Sequence, residues 1–255
     1  MLLAVDVGNT HTVLGLFEAD KLVANWRVAT RHDVTGDEMG VVWHALFSQE
    51  EIPHSSVDGM IVSSVVPDLD AVIGRIGQRF FKQTPLFVGP GVKTGMPIRY
   101  ENPHEVGADR IVNAVAALER YGAPVIVLDF GTGTTFDVVS EKGEYVGGII
   151  APGLGVSAEA LFSKAARLHS VDVRRPDQLI GRTTEQSLRS GLYFGYLSLV
   201  EGLVARLQAE FTTPVPVVAT GGLATIFADD LKVLHAVDTG LTLDGLRLIW
   251  ERNHR

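Results

Sequence analysis

One short pattern constrains this 255-residue chain more than any other. Asp6-Val7-Gly8-Asn9-Thr10 closes the apolar run 2–7, and Asp129-Phe130-Gly131-Thr132-Gly133-Thr134-Thr135 closes the apolar run 125–129. Each places an Asp-x-Gly turn between two strand-like segments, and the two stand 129 − 6 = 123 residues apart, about half the chain. The same order of elements surrounds both. In the first half, apolar segments at 2–7, 12–17 and 22–29 alternate with tight turns and read as a β-meander. In the second, segments at 125–129, 135–139 and 145–150 do the same, with Glu141-Lys142-Gly143-Glu144 as the second turn. The repetition predicts an internally duplicated strand-strand-strand-helix unit. Its boundary is expected in or after an Ala-rich helix over 108–121, near the breaker Gly122-Ala123-Pro124. Two lobes follow, 1–118 and 119–255, and paired lobes make a cleft in which ligands bind.

The other elements fit an α/β chain. Helices are expected over 37–48, 68–81, 156–169 and 184–211, a buried strand over 60–65, and a very apolar strand over 215–219 that runs into Thr220-Gly221-Gly222. A helix over 243–252 closes the chain. In the long helix Ser187, Gly191 and Gly195 recur every four residues and share one face. Such a face lets another backbone approach closely, either within the chain or across a dimer seam.

Composition removes several classes of function. With 22 Lys and Arg against 30 Asp and Glu, the formal charge is −8, and no basic run exceeds Arg174-Arg175. That field repels nucleic-acid phosphates and anionic lipid. Cysteine is absent, which excludes disulfides, thiolate zinc sites and cysteine nucleophiles and fits a reducing compartment. The uncharged stretch 190–200 has 11 residues, short of the roughly 20 a spanning helix needs. The opening Met1-Leu2-Leu3-Ala4-Val5-Asp6 lacks the features of a signal peptide, so a cytoplasmic protein is expected.

Familiar nucleotide motifs do not explain the glycines. Lys93 in Gly91-Val92-Lys93-Thr94 lacks the glycine that precedes the lysine of a P-loop. Gly153-Leu154-Gly155-Val156-Ser157-Ala158 matches the dinucleotide pattern, but it follows the third strand of a meander, so a glycine turn admitting a close loop or substrate is the better reading. The histidines show no helical pair at four-residue spacing. The Asp-x-Gly turns are more informative. Glycine admits unusual backbone angles, and the small polar side chains add donors to exposed amides, a construction that can wrap a phosphate. Either turn alone could be an ordinary hairpin satisfying its own backbone. Two in register, with carboxylates at the strand ends for cations, predict a polyphosphate gripped from both sides, namely ATP. Thr220-Gly221-Gly222 suits close approach of an adenine or ribose. Gly107-Ala108-Asp109-Arg110 opens a helix, where Asp109 is either a first-turn acid or a base near the cleft, beside an arginine able to fork onto a carboxylate.

These segments, together with Gly147-Gly148-Ile149-Ile150-Ala151-Pro152-Gly153, resemble the type III pantothenate kinase family in order from residue 6 to residue 222. The resemblance implies the duplicated ribonuclease-H-like fold of the actin-like ATPase superfamily. It implies a cytoplasmic homodimer that phosphorylates pantothenate with ATP. Residue by residue, Asp6, Val7, Gly8, Asn9, Thr10, His11, Thr12 and Val13 match the first phosphate motif, with Asp6 serving Mg²⁺. Thr132 matches the second phosphate motif, Asp129 the site for potassium or ammonium, and Gly221 and Gly222 the nucleotide side. Asp109 matches the catalytic base. Tyr100, Gly107, Ala108, Asp109 and Arg110 match the pantothenate pocket, and Thr184 matches a threonine supplied by the neighbouring subunit. Gly133 departs from the alanine more usual there. Two alternatives remain from the residues alone: another small-molecule kinase of the superfamily, or a nucleotide-binding regulatory or scaffold protein of the same fold.

Overall fold

A computed structural model describes residues 1–165 and 168–254. The chain opens with an antiparallel meander, β1 (Leu2–Val7), β2 (His11–Glu18) and β3 (Lys21–Ala29). Helix α1 (Gly36–Gln49) starts at a reciprocal cap in which Glu38 N donates to Thr35 Oγ1 and Thr35 N donates to Glu38 Oε2, so two otherwise orphaned amides are satisfied. β4 (Gly59–Ser64) then returns parallel to β1, α2 (Pro67–Ile76) begins on a proline that needs no amide partner, and β5 (Leu86–Phe87) pairs with β4. Helix α3 (Ala108–Tyr121) leads to a second meander, β6 (Val125–Phe130), β7 (Gly133–Val139) and β8 (Tyr145–Pro152). Then come α4 (Leu154–Lys164), α5 (Thr184–Gln208), β9 (Val217–Thr220), α6 (Ala224–Phe227), β10 (Ala236–Val237) and α7 (Leu241–Asn253).

The two sheets have one topology. The first runs β3-β2-β1-β4-β5 and the second β8-β7-β6-β9-β10, so each places its third, second, first, fourth and fifth strands in that order. In both, the first strand is antiparallel to the second and parallel to the fourth. This is the duplicated ribonuclease-H-like fold that the repeat in the sequence predicts.

By packing, the chain divides into Met1–Arg120 with the segment from Gly240 onward, and Tyr121–Thr239. In the first unit one sheet face, carrying Leu3, Val5, Val7, Met60 and Val62, buries Trp43 and Phe47 of α1 and Leu69 and Ile73 of α2. The other face receives α7, which packs on β1, β2 and β4. Gly59 of β4 makes room for it, since a Cβ there would come within 2.9 Å of the Trp250 ring. The expected second lobe of 119–255 counts α7 with the second half of the sequence; its packing counts it with the first sheet. In the second unit, β6 and β9 bury Tyr193, Tyr196, Val200 and Val204 of α5, with Phe130 stacked on Phe227 at 5.7 Å.

Local chemistry accounts for the boundaries that differ from expectation. The helix expected over 68–81 stops at Ile76 and gives way to a π-type turn, Gly77–Phe81, ending on Lys82 in the left-handed region. The strand expected from 215 begins at Val217, because Pro216 has no amide to pair and offers only its carbonyl, to Ile126 N at 3.0 Å. Helix α4 ends at Lys164 rather than 169; residues 166–167 of the expected helix lie outside the described residues. No helix among the described residues is long and apolar enough to cross a membrane.

Candidate active site

The first Asp-x-Gly turn is a four-residue connection. Val7 pairs with Thr12, leaving Gly8-Asn9-Thr10-His11 as the loop, closed by a hydrogen bond from Gly8 N to His11 O at 3.0 Å. Asn9, Thr10 and His11 are exposed. Thr30, one residue past β3, braces this loop from behind. Its amide donates to Thr10 O at 2.9 Å, its hydroxyl donates to Gly8 O at 2.7 Å, and that hydroxyl also lies 2.9 Å from buried Thr12 Oγ1. Sequence reasoning missed Thr30, although the β2–β3 pairing of His11 with Ala29 leaves the next residue beside the turn.

The start of α3 lies at the same end of the first sheet. Val65 N donates to Val7 O at 3.0 Å, just beyond the carboxyl ends of parallel β1 and β4. Val65 Cγ1 is 3.6 Å from where a Cβ on Gly107 would stand. The carboxyl ends of parallel strands are where α/β sheets present ligand-binding groups. Asp109, in the first turn of α3, accepts from Arg110 N at 2.8 Å through Oδ1. A Cβ on Gly107 would come within 2.5 Å of that oxygen, so glycine leaves the carboxylate room to fold back. Burial pushes the Asp109 carboxyl above its ordinary range, and the Arg110 amide and guanidinium pull it only part of the way back. A carboxylate so raised is a better proton acceptor. Arg110 is itself buried, while Tyr100 is half-buried in the irregular segment ahead of α3.

The second turn is one residue shorter. Phe130 pairs with Thr134, leaving Gly131-Thr132-Gly133, with Gly131 N donating to Gly133 O at 3.1 Å. Gly153, just ahead of α4, donates to Thr132 O at 3.1 Å, which is the close-loop role expected of that glycine. Gly221 has φ +92°, and a Cβ there would press on the Asp129 carboxylate and stand 2.6 Å from Phe130 N. Asp129, the Gly131–Gly133 turn, Gly153 and Gly221 are thus assembled in one place, with Gly222 exposed next to it. Buried Thr134 is hydrogen-bonded to the hydroxyl of Tyr196 on α5. Burial raises that phenol's pKa, which keeps it protonated. Tyr196 also escaped sequence reasoning, since nothing in a helical pattern says which aromatic carries its polar tip to a distant turn.

Thr184 is the first residue of α5 and is exposed, directly after Thr183, whose Oγ1 accepts from Gln186 N at 3.2 Å. Ser187, Gly191 and Gly195 are exposed too, and among the described residues no other group comes within 4 Å of a Cβ on Gly191 or Gly195. Among the described residues no cluster of three or more His, Asp or Glu could cage a metal ion.

Comparison with known proteins bears on this arrangement. A family profile described as type III pantothenate kinase matches residues 2–206. A type III pantothenate kinase of Myxococcus xanthus (strain DK1622) is 55% identical over 254 residues, covering 100% of this chain and 99% of the relative. One from Koribacter versatilis (strain Ellin345) is 54% identical over 263 residues, covering 99% and 96%. Among solved structures, a Baf family transcriptional activator protein of Campylobacter jejuni aligns with TM-score 0.63 at 17% identity, covering 99% and 98%. Component A of (R)-2-hydroxyglutaryl-CoA dehydratase from Acidaminococcus fermentans aligns with TM-score 0.56 at 14% identity, covering 100% and 99%. At those identities the likeness concerns the fold alone.

Proposed function

Because the chain belongs to the type III pantothenate kinase family, we propose that it transfers the γ-phosphoryl group of ATP to pantothenate, giving ADP and 4′-phosphopantothenate, the first step of coenzyme A biosynthesis. The observation that carries the mechanism is Asp109, a carboxylate of raised basicity held at the same sheet end as an Asp-x-Gly turn. Transfer to a primary alcohol passes through a loose transition state, so orientation and charge screening contribute more than early deprotonation. Asp109 orients the pantothenate hydroxyl and takes its proton late. Arg110 forks onto the substrate carboxylate, and Tyr100, Gly107 and Ala108 line the rest of that pocket.

ATP phosphates are held by the segment Asp6 to Val13, chiefly Asn9 and Thr10, and by Thr132, with Gly221 and Gly222 on the nucleotide side. Asp6 is a half-buried carboxylate with no acidic cage around it among the described residues, a donor set that fits Mg²⁺, a cation that keeps several waters and takes its other ligands from phosphates. When bound, Mg²⁺ neutralises charge on the transferring phosphoryl group. Asp129, with the space left by the missing Gly221 side chain against it, fits a monovalent cation, potassium or ammonium. The open small-residue face of α5 supports a homodimer in which Thr184 completes the neighbouring subunit's substrate site. The acidic charge fits a cytoplasmic enzyme without nucleic-acid or membrane partners.

The test is ADP release from purified protein with ATP and Mg²⁺, comparing pantothenate, glucose, acetate and no acceptor, each with potassium and with sodium alone. Turnover that depends on pantothenate and potassium is expected. ATP binding without acceptor-dependent turnover would make the chain a nucleotide-gated scaffold.

A further inference from the structure

Ser63, near the end of β4, is fully buried, and its Oγ has no hydrogen-bond partner among the described residues. A buried hydroxyl without a partner is unfavourable, so one left unmet calls for a partner that arrives later. The sheet register says which. Ser63 stands directly beside Asp6 in the parallel β1–β4 ladder, and lateral neighbours in a ladder point to the same face. On its other flank the ladder continues with Val88, whose amide bonds to Val62 O at 2.8 Å, and Ile61 precedes it on the same face of its own strand. Of these three neighbours only Asp6 has a side-chain oxygen.

The duplication supplies an independent observation. In the second sheet Asp129 stands beside Thr220 in the equivalent parallel register, again a buried hydroxyl residue flanking the carboxylate of the Asp-x-Gly turn. Nearby positions have diverged: Val13 and Gly15 in β2 correspond to Thr135 and Asp137 in β7. The carboxylate and its hydroxyl neighbour occur in both copies.

We infer that Ser63 is a positioning residue for Asp6, donating its hydroxyl proton to one carboxylate oxygen when the other turns toward the water shell of a bound Mg·ATP. Ser63 is too deeply buried to touch the nucleotide and acts through Asp6. This rests on the assignment of Asp6 to the cation of Mg·ATP.

Calorimetric titration of the full-length protein with ATP, with and without Mg²⁺, tests it on Ser63→Ala, Asp6→Asn and the double variant, alongside melting temperatures. Ser63→Ala is expected to melt no lower than the parent, to bind ATP without Mg²⁺ within about twofold of the parent, and to bind Mg·ATP about tenfold more weakly, the size of one hydrogen bond to a charged group. In the Asp6→Asn background it should add no further loss. Unchanged Mg·ATP affinity, equal losses with and without Mg²⁺, a full loss in the Asp6→Asn background, or a markedly lower melting temperature would each overturn the inference. A parent protein that does not bind Mg·ATP would overturn the assignment of Asp6 as well; a parent that binds it while Ser63→Ala is unaffected overturns the inference alone.

Discussion

The two Asp-x-Gly turns occupy the same place in the same topology, yet they are held in different ways. The first is braced from within its own meander, by Thr30 some twenty residues away. The second has the matching support, Gly153 one residue past β8, and adds two remote ones, Tyr196 on α5 and Gly221 after β9. Their companions differ too. Asp109, with its raised carboxyl, belongs to the first unit, whereas the second surrounds Asp129 with glycine backbone. Duplication reproduced the strand order, and the difference between the turns arises from what packs behind each.

The largest expected effect tests whether the chemistry belongs to the first unit. Asp109→Asn should lower pantothenate-dependent ADP release by about 10³-fold, within the usual range for a lost general base, while Mg·ATP affinity measured calorimetrically stays near that of the parent. Retained turnover would erase the contrast. The same group fixes a pH signature. Asp109 has a folded-state pKa above its unfolded value, so the folded protein holds the proton more tightly, and the group subtracts stability as pH rises from the ordinary carboxylate range through the raised pKa. Below that window Asp and Asn melt alike, and above it Asp109→Asn melts higher. Activity should fall on the acid side at a pH above the ordinary carboxylate range, because the base must be ionised.

Next in size is a glycine pair. Gly221→Ala forces an L side chain to φ +92° and into the Phe130 backbone, and should cost about 4 kcal/mol in denaturant unfolding. Gly8→Ala meets only His11 O, at 3.0 Å, and should cost about 1 kcal/mol. Equal losses would mean the turns are held alike. The smallest pair compares the braces themselves. Tyr196→Phe leaves the buried Thr134 hydroxyl unmet, for about 2 kcal/mol and a several-fold weaker ATP affinity. Thr30→Val frees Gly8 O to water beside an exposed loop but leaves the buried Thr12 hydroxyl unmet, for about 2 kcal/mol and a change in ATP affinity of about twofold.

What was legible in the sequence is what is local. β1 is found at Leu2–Val7 and α3 at Ala108–Tyr121, as alternation, apolar runs and turn residues predict, and the repeated Asp-x-Gly announced a duplication that the matching strand orders bear out. The supports were hidden. Thr30, Ser63 and Tyr196 draw their meaning from register across strands or from a helix docking on a turn, and no window of sequence contains both partners. β5 and β10 have two residues each, too short to show alternation. The sheet that a terminal helix covers is likewise not written in that helix.

That helix, α7, sets an order of assembly. It leaves the ribosome after every other element described, yet it covers β1, β2 and β4, which are among the first. During synthesis the whole of Tyr121–Thr239 emerges, and is free to fold as a unit, before the first sheet receives its second layer. The unit bearing Asp6 and Asp109 therefore waits half-covered until α7 has been made.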